Sequence, residues 1–160
     1  MREFALSANN VTVSSNTLAL VHAAAAVSCN LEILRAWAGQ TGSTTSGQIR
    51  IQHVTQVTAF PTVTATTPVP LKQHDQISRI ISSTTGSAGT SGTNATAEGA
   101  GAKTVQWEDS FNNLNGYLWV PTPRETVVNP AGSASNYGIY LPTAPASLVN
   151  WSAGFNFAEV

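Results

Sequence analysis

The stretch QIRIQHVTQVT, residues 48–58, alternates between two kinds of side chain at every second position. Ile49, Ile51 and His53 occupy one set of positions, and the other, more polar set begins with Arg50. Successive side chains of a β-strand point to opposite faces, so this pattern predicts a strand with one apolar face. A second layer has to cover such a face, which makes a packed β structure the first expectation.

The rest of the chain repeats this signal in short runs. Thr, Val, Ile and aromatic residues recur between Gly, Pro and Asn, whereas helix-forming Glu, Lys, Arg and Gln are few. We predict one all-β domain over residues 1–160, a β-sandwich of the jelly-roll kind with about nine or ten strands. The further strand candidates are 4–13, 17–26, 31–37 as a centrally buried strand, 62–67 as an edge strand or extended loop, 77–81, 105–111, 116–120, 125–128, 136–141 and 147–158.

In two of these strand candidates, odd or even residue numbers predict which side chains share a face of the strand. Val105, Trp107 and Phe111 have the same parity and should share one face of a regular strand. Tyr137 and Tyr140 have opposite parity, so at least one of these two tyrosines should point outward.

The segment 83–103 differs in composition from the rest of the chain, because Gly, Ala, Ser and Thr make up nearly all of its 21 residues. It has no large apolar side chain that could anchor it in a core. We therefore predict a low-complexity loop, either disordered or acting as an arm that gains order against a neighbouring chain. Its deletion should then leave the domain folded and weaken its contacts with partners.

The chain is close to electrically neutral. The chain has seven Lys and Arg residues and eight Asp and Glu residues, which gives a formal net charge of -1. Most of its polar residues are uncharged, with 20 Thr, 16 Ser and 12 Asn. No basic cluster is present, so neither nucleic acid nor a membrane is expected as a partner. Copies of such a chain repel one another little, which favours a subunit that works in an assembly.

Targeting and cysteine signals predict synthesis in a cytosol. Residues 1–4 lack the basic and apolar regions of a secretory signal, and the apolar run 18–27 is too short for a membrane helix. The single Cys29 cannot form an internal disulfide.

The sequence contains no pattern typical of catalysis or cofactor binding. His22, His53 and His74 are separated along the chain, and isolated histidines on strands are more often structural or surface groups than metal ligands. The neighbours Glu108 and Asp109 would point to opposite faces of a strand and could not act as a pair. We expect a protein that is not an enzyme, with no catalytic residues, no metal and no cofactor.

Four aromatic residues, Trp107, Phe111, Tyr117 and Trp119, lie within thirteen positions. They allow three interpretations, of which we favour the core of the sandwich. The other two are an anchor at a subunit interface and a platform on which a sugar stacks.

The segment GYLWVPTPRE, residues 116–125, resembles a motif in a group of small virion proteins of tailed bacteriophages. Members of that group have an N-terminal strand pair and a central turn region rich in Gly, Ser and Thr. An aromatic-Leu-aromatic piece then leads into Pro-Thr-Pro, and the last strand ends in Phe-x-Glu or Phe-Glu-Glu. Here the last strand ends in Phe157-Ala158-Glu159. The resemblance covers most of the chain as a pattern, its specific part surrounds Pro121 and Pro123, and the inserted stretch 83–103 departs from it.

The resemblance implies a capsid cement or decoration protein, made in the bacterial cytoplasm and located on the capsid surface of the virion. Its partners would be the major capsid protein and copies of itself, with a trimer favoured because capsid lattices offer local threefold positions. Repetition over many sites would raise the affinity of such a subunit. The residues that we expect to contact these partners are Arg2, Phe4, Thr90, Asn94, Lys103, Pro121, Pro123 and Arg124.

Two other functions stay open. A tail- or fibre-associated module that binds cell-surface glycan would use the aromatic residues between 107 and 119, and Trp119→Ala should then abolish binding. A small β-sandwich hydrolase would need a convergent acid pair or histidine site that the residue spacing does not indicate.

Overall fold

A computed structural model describes residues 1–13, 19–24, 28–73, 77–82, 89–97, 99–131 and 135–160. Two β-sheets pack together, and the described residues contain no helix, which confirms the all-β sandwich. Jelly-roll connections between the strands stay a prediction. The described strands are β1 (Arg2–Val11), β2 (Ala19–Ala24), β3 (Leu31–Gln40), β4 (Gln48–Val57), β5 (Thr62–Ala65), β6 (Val69–Pro70), β7 (Ile81–Ser82), β8 (Thr90–Ala97), β9 (Lys103–Asn112), β10 (Tyr117–Trp119), β11 (Val128–Asn129), β12 (Ser135–Tyr140) and β13 (Trp151–Glu159).

One sheet, which we call sheet A, has the strand order β10-β3-β13-β1-β6, and β11 pairs with another part of β3. The closing strand β13 lies in the middle, antiparallel to β1 on one side and to β3 on the other. The prediction that residues 31–37 form an interior strand is confirmed, because β3 is paired along both edges.

The other sheet, sheet B, has the order β5-β8-β2-β12-β4-β9, and β7 adds a short parallel contact to β8. The predicted edge strand at 62–67 is confirmed, since β5 is the first strand of this order. The opposite edge is β9, which pairs only with β4 among the described strands.

The main core lies between the sheets and is built from the inward positions of alternating strands. On β4, Ile49, Ile51 and His53 are buried, as the alternation predicts. Each large apolar side chain removed from water contributes about 1.5–3 kcal/mol to folding. The largest fully buried side chains include Trp151, Tyr137, Phe4, Phe155 and Phe157.

The outer face of sheet B is also covered near its centre. Tyr140 is 3% exposed and belongs to a second apolar cluster with Val54, Val63 and Ala95, whereas Tyr137 lies in the main core. The two tyrosines belong to different clusters, and Tyr140 points to the outer face of the sheet, as their opposite parity predicts, yet it is buried there. A layer of chain covers the outer one.

Val63 and Ala95 of the second cluster and the Lys103 side chain contribute to this cover, and residues 58–61 and 99–101 are attached to the sheet through Gln56. Gln56 Nε2 donates to the carbonyl oxygens of Gly99, at 3.0 Å, and Gly101, at 3.1 Å. A Cβ on Gly99 would lie 1.6 Å from the carbonyl oxygen of Ala59, so the two segments touch backbone to backbone. The Tyr140 hydroxyl donates to Gln56 Oε1 at 3.1 Å and completes the connection to the sheet.

Strand β8 corrects the expectation of a loop or arm at 83–103. It lies between β2 and β5, and residues 89–93 and 95 are buried. Small side chains are what this position needs, because a Cβ on Gly92 would lie only 2.2 Å from Cγ2 of Val63. Residues 83–88 and 98 lie outside the described residues. Deleting 83–103 would remove an interior strand, so we expect it to disrupt sheet B.

Several other boundaries differ from the expected ones. Residues 77–80 precede the two-residue strand β7, β11 begins at Val128 and not at 125, and β13 begins at Trp151 and not at 147. Residues 17–18 and 25–26 of the second strand candidate lie outside the described residues.

Candidate functional site

One side of the sandwich brings β9 of sheet B against β10 and β11 of sheet A. Trp119 on β10 is 7% exposed, whereas Trp107 on β9 is 41% exposed. Their ring centroids lie 6.5 Å apart at 49°. The core interpretation is confirmed for Trp119, Phe111 and Tyr117, which are buried, but Trp107 lies at the surface. We call Trp107, Trp119 and residues 120–128 the tryptophan edge.

Behind Trp119 lies a buried hydrogen-bond network. The Tyr137 hydroxyl is 2.6 Å from His53 Nδ1, and the Tyr117 hydroxyl is 3.1 Å from His53 Nε2. A neutral imidazole has one N–H donor and one acceptor nitrogen, so one tyrosine donates to the ring and the other accepts from it. The His53 ring meets the Trp119 ring edge-on, with centroids 4.6 Å apart. His53 is thus a structural histidine, as predicted.

Burial sets the protonation of this network. Burial lowers the pKa of His53 to about 4, and the negative charge of Asp109 has the smaller, opposite effect of raising it. Burial raises the pKa of Tyr117 to about 12, with Asp109 acting in the same direction. Burial and the neighbouring Tyr117 also raise the pKa of Tyr137. All three groups are uncharged at neutral pH, and the network fixes the orientation of the rings beneath the tryptophan edge.

A β-bulge in β9 alters which side chains face this edge. His53 pairs with Trp107 and the next residue, Val54, pairs with Val105, so Gln106 is the extra residue. Trp107 therefore shares the inner face with His53, while Val105 lies on the outer face with Val54. The expectation that Val105 and Trp107 share a face is wrong, because a bulge breaks the alternation of a strand.

A cleft of about 240 Å³ opens beside the exposed ring of Trp107. Trp107 and Gln106 on β9, Thr55 on β4 and residues 124–128 form its walls, and Trp119 lies against it. One ring face, the bulged residue and the loop between β10 and β11 thus converge on the same space.

Some polar groups of the cleft have no hydrogen-bond or ion-pair partner among the described residues. Gln106 Nε2 donates to Thr55 Oγ1 at 2.9 Å, and its amide oxygen has no partner among the described residues. No described carboxylate forms a salt bridge with the Arg124 guanidinium. Glu125 accepts a hydrogen bond from the Thr122 hydroxyl at 2.9 Å. An amide acceptor, a cation and an anion are therefore present around an aromatic surface.

A larger hollow of about 380 Å³ lies beside the ends of β3 and β10. Its most buried polar side chain, Asn113, is engaged within the chain. The Asn113 Oδ1 accepts from the Gly47 amide at 2.8 Å, and Nδ2 donates to Gln40 Oε1 at 2.9 Å and to the Thr45 carbonyl at 3.1 Å. These bonds fix the loop 41–47, so the cleft of the tryptophan edge is the stronger binding candidate.

Glu108 and Asp109 lie on opposite faces of β9, as predicted. Glu108 pairs across the strands with Gln52, and hydrogen bonds from Gln52 and then Arg50 lower the pKa of its carboxyl group. Asp109 faces the side of His53, whose pKa its charge raises. The two carboxylates therefore do not converge on one point.

Three of the expected partner-contact residues lie in the tryptophan edge, and a fourth, Lys103, lies on the outer face of sheet B. Pro123 and Arg124 are exposed and Pro121 is half-buried in the loop after β10. Lys103 is exposed at the start of β9, and its ammonium lies 4.9 Å from the ring of Tyr140.

The other four lie elsewhere, so the structure does not unite the eight in one surface. Phe4 is 0% exposed and Thr90 is 4% exposed, which corrects the expectation that their side chains meet a partner. Arg2, on β1, forms a salt bridge with the buried Glu159. Asn94 lies in β8 with a positive φ of 49°.

Sequence reasoning missed Gln106, Thr55 and the loop residues 125–128 as parts of a site. Nothing local signals them, because the bulge at Gln106 exists only through the pairing of β9 with β4. An unusually exposed tryptophan would have been the clue, and only the structure gives its exposure.

Among the described residues, no group of three or more His, Cys, Asp or Glu side chains is placed to hold a metal ion, and His74 lies outside them. The described part of the chain has no helix long and apolar enough to cross a membrane. Comparison with protein family models, curated proteins and solved structures finds no match for this chain.

Proposed function

We propose that this protein is a structural subunit of a bacteriophage virion, a cement or decoration protein that binds the major capsid protein and copies of itself. The proposal starts from the resemblance of residues 116–125 to small virion proteins. It gains its main support from the apolar side chains that the tryptophan edge presents to solvent.

The two strands at this edge and the loop between β10 and β11 carry a run of exposed apolar residues. Leu118 is 66% exposed and Val120 is 63% exposed, while Val128, at 49%, and Trp107, at 41%, lie at the cleft. Leu118 and Val120 lie two residues apart, and exposed apolar side chains this close together are typical of a contact surface. This edge is the single observation that carries the proposal.

A second apolar group lies at the other end of sheet A, on and after β6. Ile77 is 84% exposed, Val69 62% and Leu71 44%. Two different adhesive edges on one subunit suit head-to-tail contacts, which close into a ring when the rotation between copies allows it. A trimer on a local threefold position of the capsid is the ring that we favour.

The low charge suits both contacts. Charges buried at an interface cost several kcal/mol each when unpaired, whereas Thr, Ser and Asn side chains hydrogen-bond to backbone or to bridging water at small cost. Affinity for a shell also accumulates over many copies and does not require a strong single contact.

A rebinding experiment tests the proposal. Particles assembled without this chain are mixed with the purified protein and sedimented through a sucrose cushion. Wild-type protein should sediment with the particles, and the double variant Leu118→Asp, Val120→Asp should lose binding by about tenfold or more, because each new carboxylate would have to be desolvated.

Val149→Asp is the matched control, since Val149 is 47% exposed and lies outside the tryptophan edge. It should sediment like the wild type. Failure of the wild-type protein to bind would contradict the virion function, and equal binding by the double variant would contradict the role of this edge. Light scattering on the eluted protein then measures whether it is a trimer.

A further inference from the structure

We propose that the cleft of the tryptophan edge binds one neutral sugar ring, as the end unit of a glycan. Three separate features meet there: an aromatic face open to solvent, an amide oxygen without a partner among the described residues, and a β-bulge that directs both into one space. The inference goes beyond the virion function: the sugar would occupy the cleft, whereas Leu118 and Val120, which do not line it, make the capsid contact, so either proposal can fail without the other.

The aromatic feature is Trp107. Its 41% exposure leaves a large part of an indole in water, although the neighbouring Trp119 is 7% exposed. An exposed tryptophan beside a cavity is unfavourable for the free protein and is typical of a binding surface. The C–H face of a pyranose ring is apolar and flat, and it can cover an indole ring without losing hydroxyl contacts at its rim.

The polar feature is the rim around that ring. The free amide oxygen of Gln106 can accept from a sugar hydroxyl, while its amide nitrogen is held by Thr55 Oγ1 at 2.9 Å. This bond fixes the plane of the amide before any ligand arrives, which lowers the entropic cost of binding. The hydroxyl of Thr126, which donates to the Thr122 carbonyl at 3.4 Å, offers a further acceptor in the cleft wall.

Charge and size select the class of sugar. Arg124 and Glu125 both line the cleft, so their formal charges sum to zero and favour a neutral ligand over an acidic one. The volume of about 240 Å³ lies below the range of about 300–1,000 Å³ that is usual for drug-sized ligands, so it suits one ring. The rest of a longer glycan would extend into solvent past β9.

The bulge links these features to function. Bulges are over-represented beside functional sites, where they change the direction of a side chain. Here the extra residue is Gln106 itself, and the change of face after Val105 brings Trp107 to the inner side of β9. A regular strand would place Gln106 and Trp107 on opposite faces, and the two could not line one cleft.

The experiment begins with a glycan array that carries neutral and acidic glycans. Positive glycans are then titrated as free oligosaccharides and as methyl monosaccharides by calorimetry and by saturation-transfer NMR. These two arms separate recognition of one end unit from recognition of a longer chain. We expect binding to neutral sugars, with the saturation signal concentrated on one ring.

The variants assign the binding to the cleft. Trp107→Ala should raise the Kd by about tenfold or more, Trp107→Phe should restore part of the affinity, and Gln106→Ala should raise the Kd by about fivefold. Val105→Ala is the matched control. It lies on the same strand and is 46% exposed, but it faces the other side and should bind like the wild type.

Circular dichroism and thermal melting test whether each variant is folded. Because Trp107 lies at the surface, we expect its variants to fold. Trp119→Ala is a poorer test because Trp119 packs on His53 in the core. Absence of binding to every neutral glycan, preference for acidic sugars, or unchanged affinity in Trp107→Ala would each overturn the inference.

Discussion

Acidification from pH 7 to pH 4 should unfold this protein through two buried histidines. His22 on β2 is fully buried, its ring centroid lies 5.9 Å from that of Phe60, and neither ring nitrogen has a hydrogen-bond partner among the described residues. Burial lowers the pKa of His22 to about 4, while its own backbone opposes this shift. Burial also lowers the pKa of His53 to about 4.

The direction of the effect follows from proton binding. In the unfolded chain both histidines have a pKa near 6.5, so between pH 6.5 and 4 the unfolded state binds more protons than the folded state. The stabilising contribution is complete above pH 6.5 and is lost as the pH falls through the folded-state value. A gap of about 2.5 pKa units corresponds to about 3 kcal/mol for each histidine. The two together approach the whole stability of about 5–15 kcal/mol that is usual for a domain.

Urea denaturation at pH 7.5, 6.5, 5.5 and 4.5 measures this dependence. The free energy of unfolding should fall by up to about 1.4 kcal/mol per pH unit for each histidine in the lower part of the range. In His22→Leu one titrating group is gone, so the slope should drop by about half. A free energy that stays constant between pH 7.5 and 4.5, or an unchanged slope in the variant, would refute the reasoning.

Two substitutions test the packing around the same core. Gly154→Ala should destabilise the fold by about 2 kcal/mol, because the new Cβ would lie 2.3 Å from Cζ2 of Trp37. Thermal melting measures the loss, and Gly47→Ala, whose nearest neighbour is 3.9 Å away, should melt like the wild type; equal melting of all three proteins would show that Trp37 can move aside. Tyr137→Phe should lower the free energy of unfolding by about 1–2 kcal/mol in urea titration, since it removes the 2.6 Å bond to His53 Nδ1, and an unchanged value would mean that this bond contributes nothing.

The sequence predicts the strands of the sandwich in which apolar and polar residues alternate. It does not predict a strand that is made of small residues. The alternation of 48–58 is local, and β4 has the expected buried face. Strand β8 has no such signal, because its buried positions hold Thr, Ser, Gly and Ala. Gly92 is buried because Val63 lies directly over it, and that contact joins parts of the chain that no short pattern connects.

The candidate site shows the same division. The spacing of the aromatic residues between 107 and 119 is compatible with a core, an interface anchor or a sugar platform. The spacing does not show which tryptophan is exposed, because the bulge at Gln106 depends on register with β4, and that register is set about fifty residues earlier in the chain. Tyr140 is a similar case, since the side chains that bury it, among them Val63, Ala95 and Lys103, come from other strands.

Cryo-electron microscopy of bacteriophage particles purified from a culture that produces this chain would test the proposed capsid-binding function without any variant. We expect a two-sheet sandwich at regular, symmetry-related positions on the outside of the capsid, with Leu118 and Val120 against the shell or against another copy. A complete map of the particle that contains no such density, together with mass spectrometry that finds no peptide of this chain in the purified particles, would contradict the proposal.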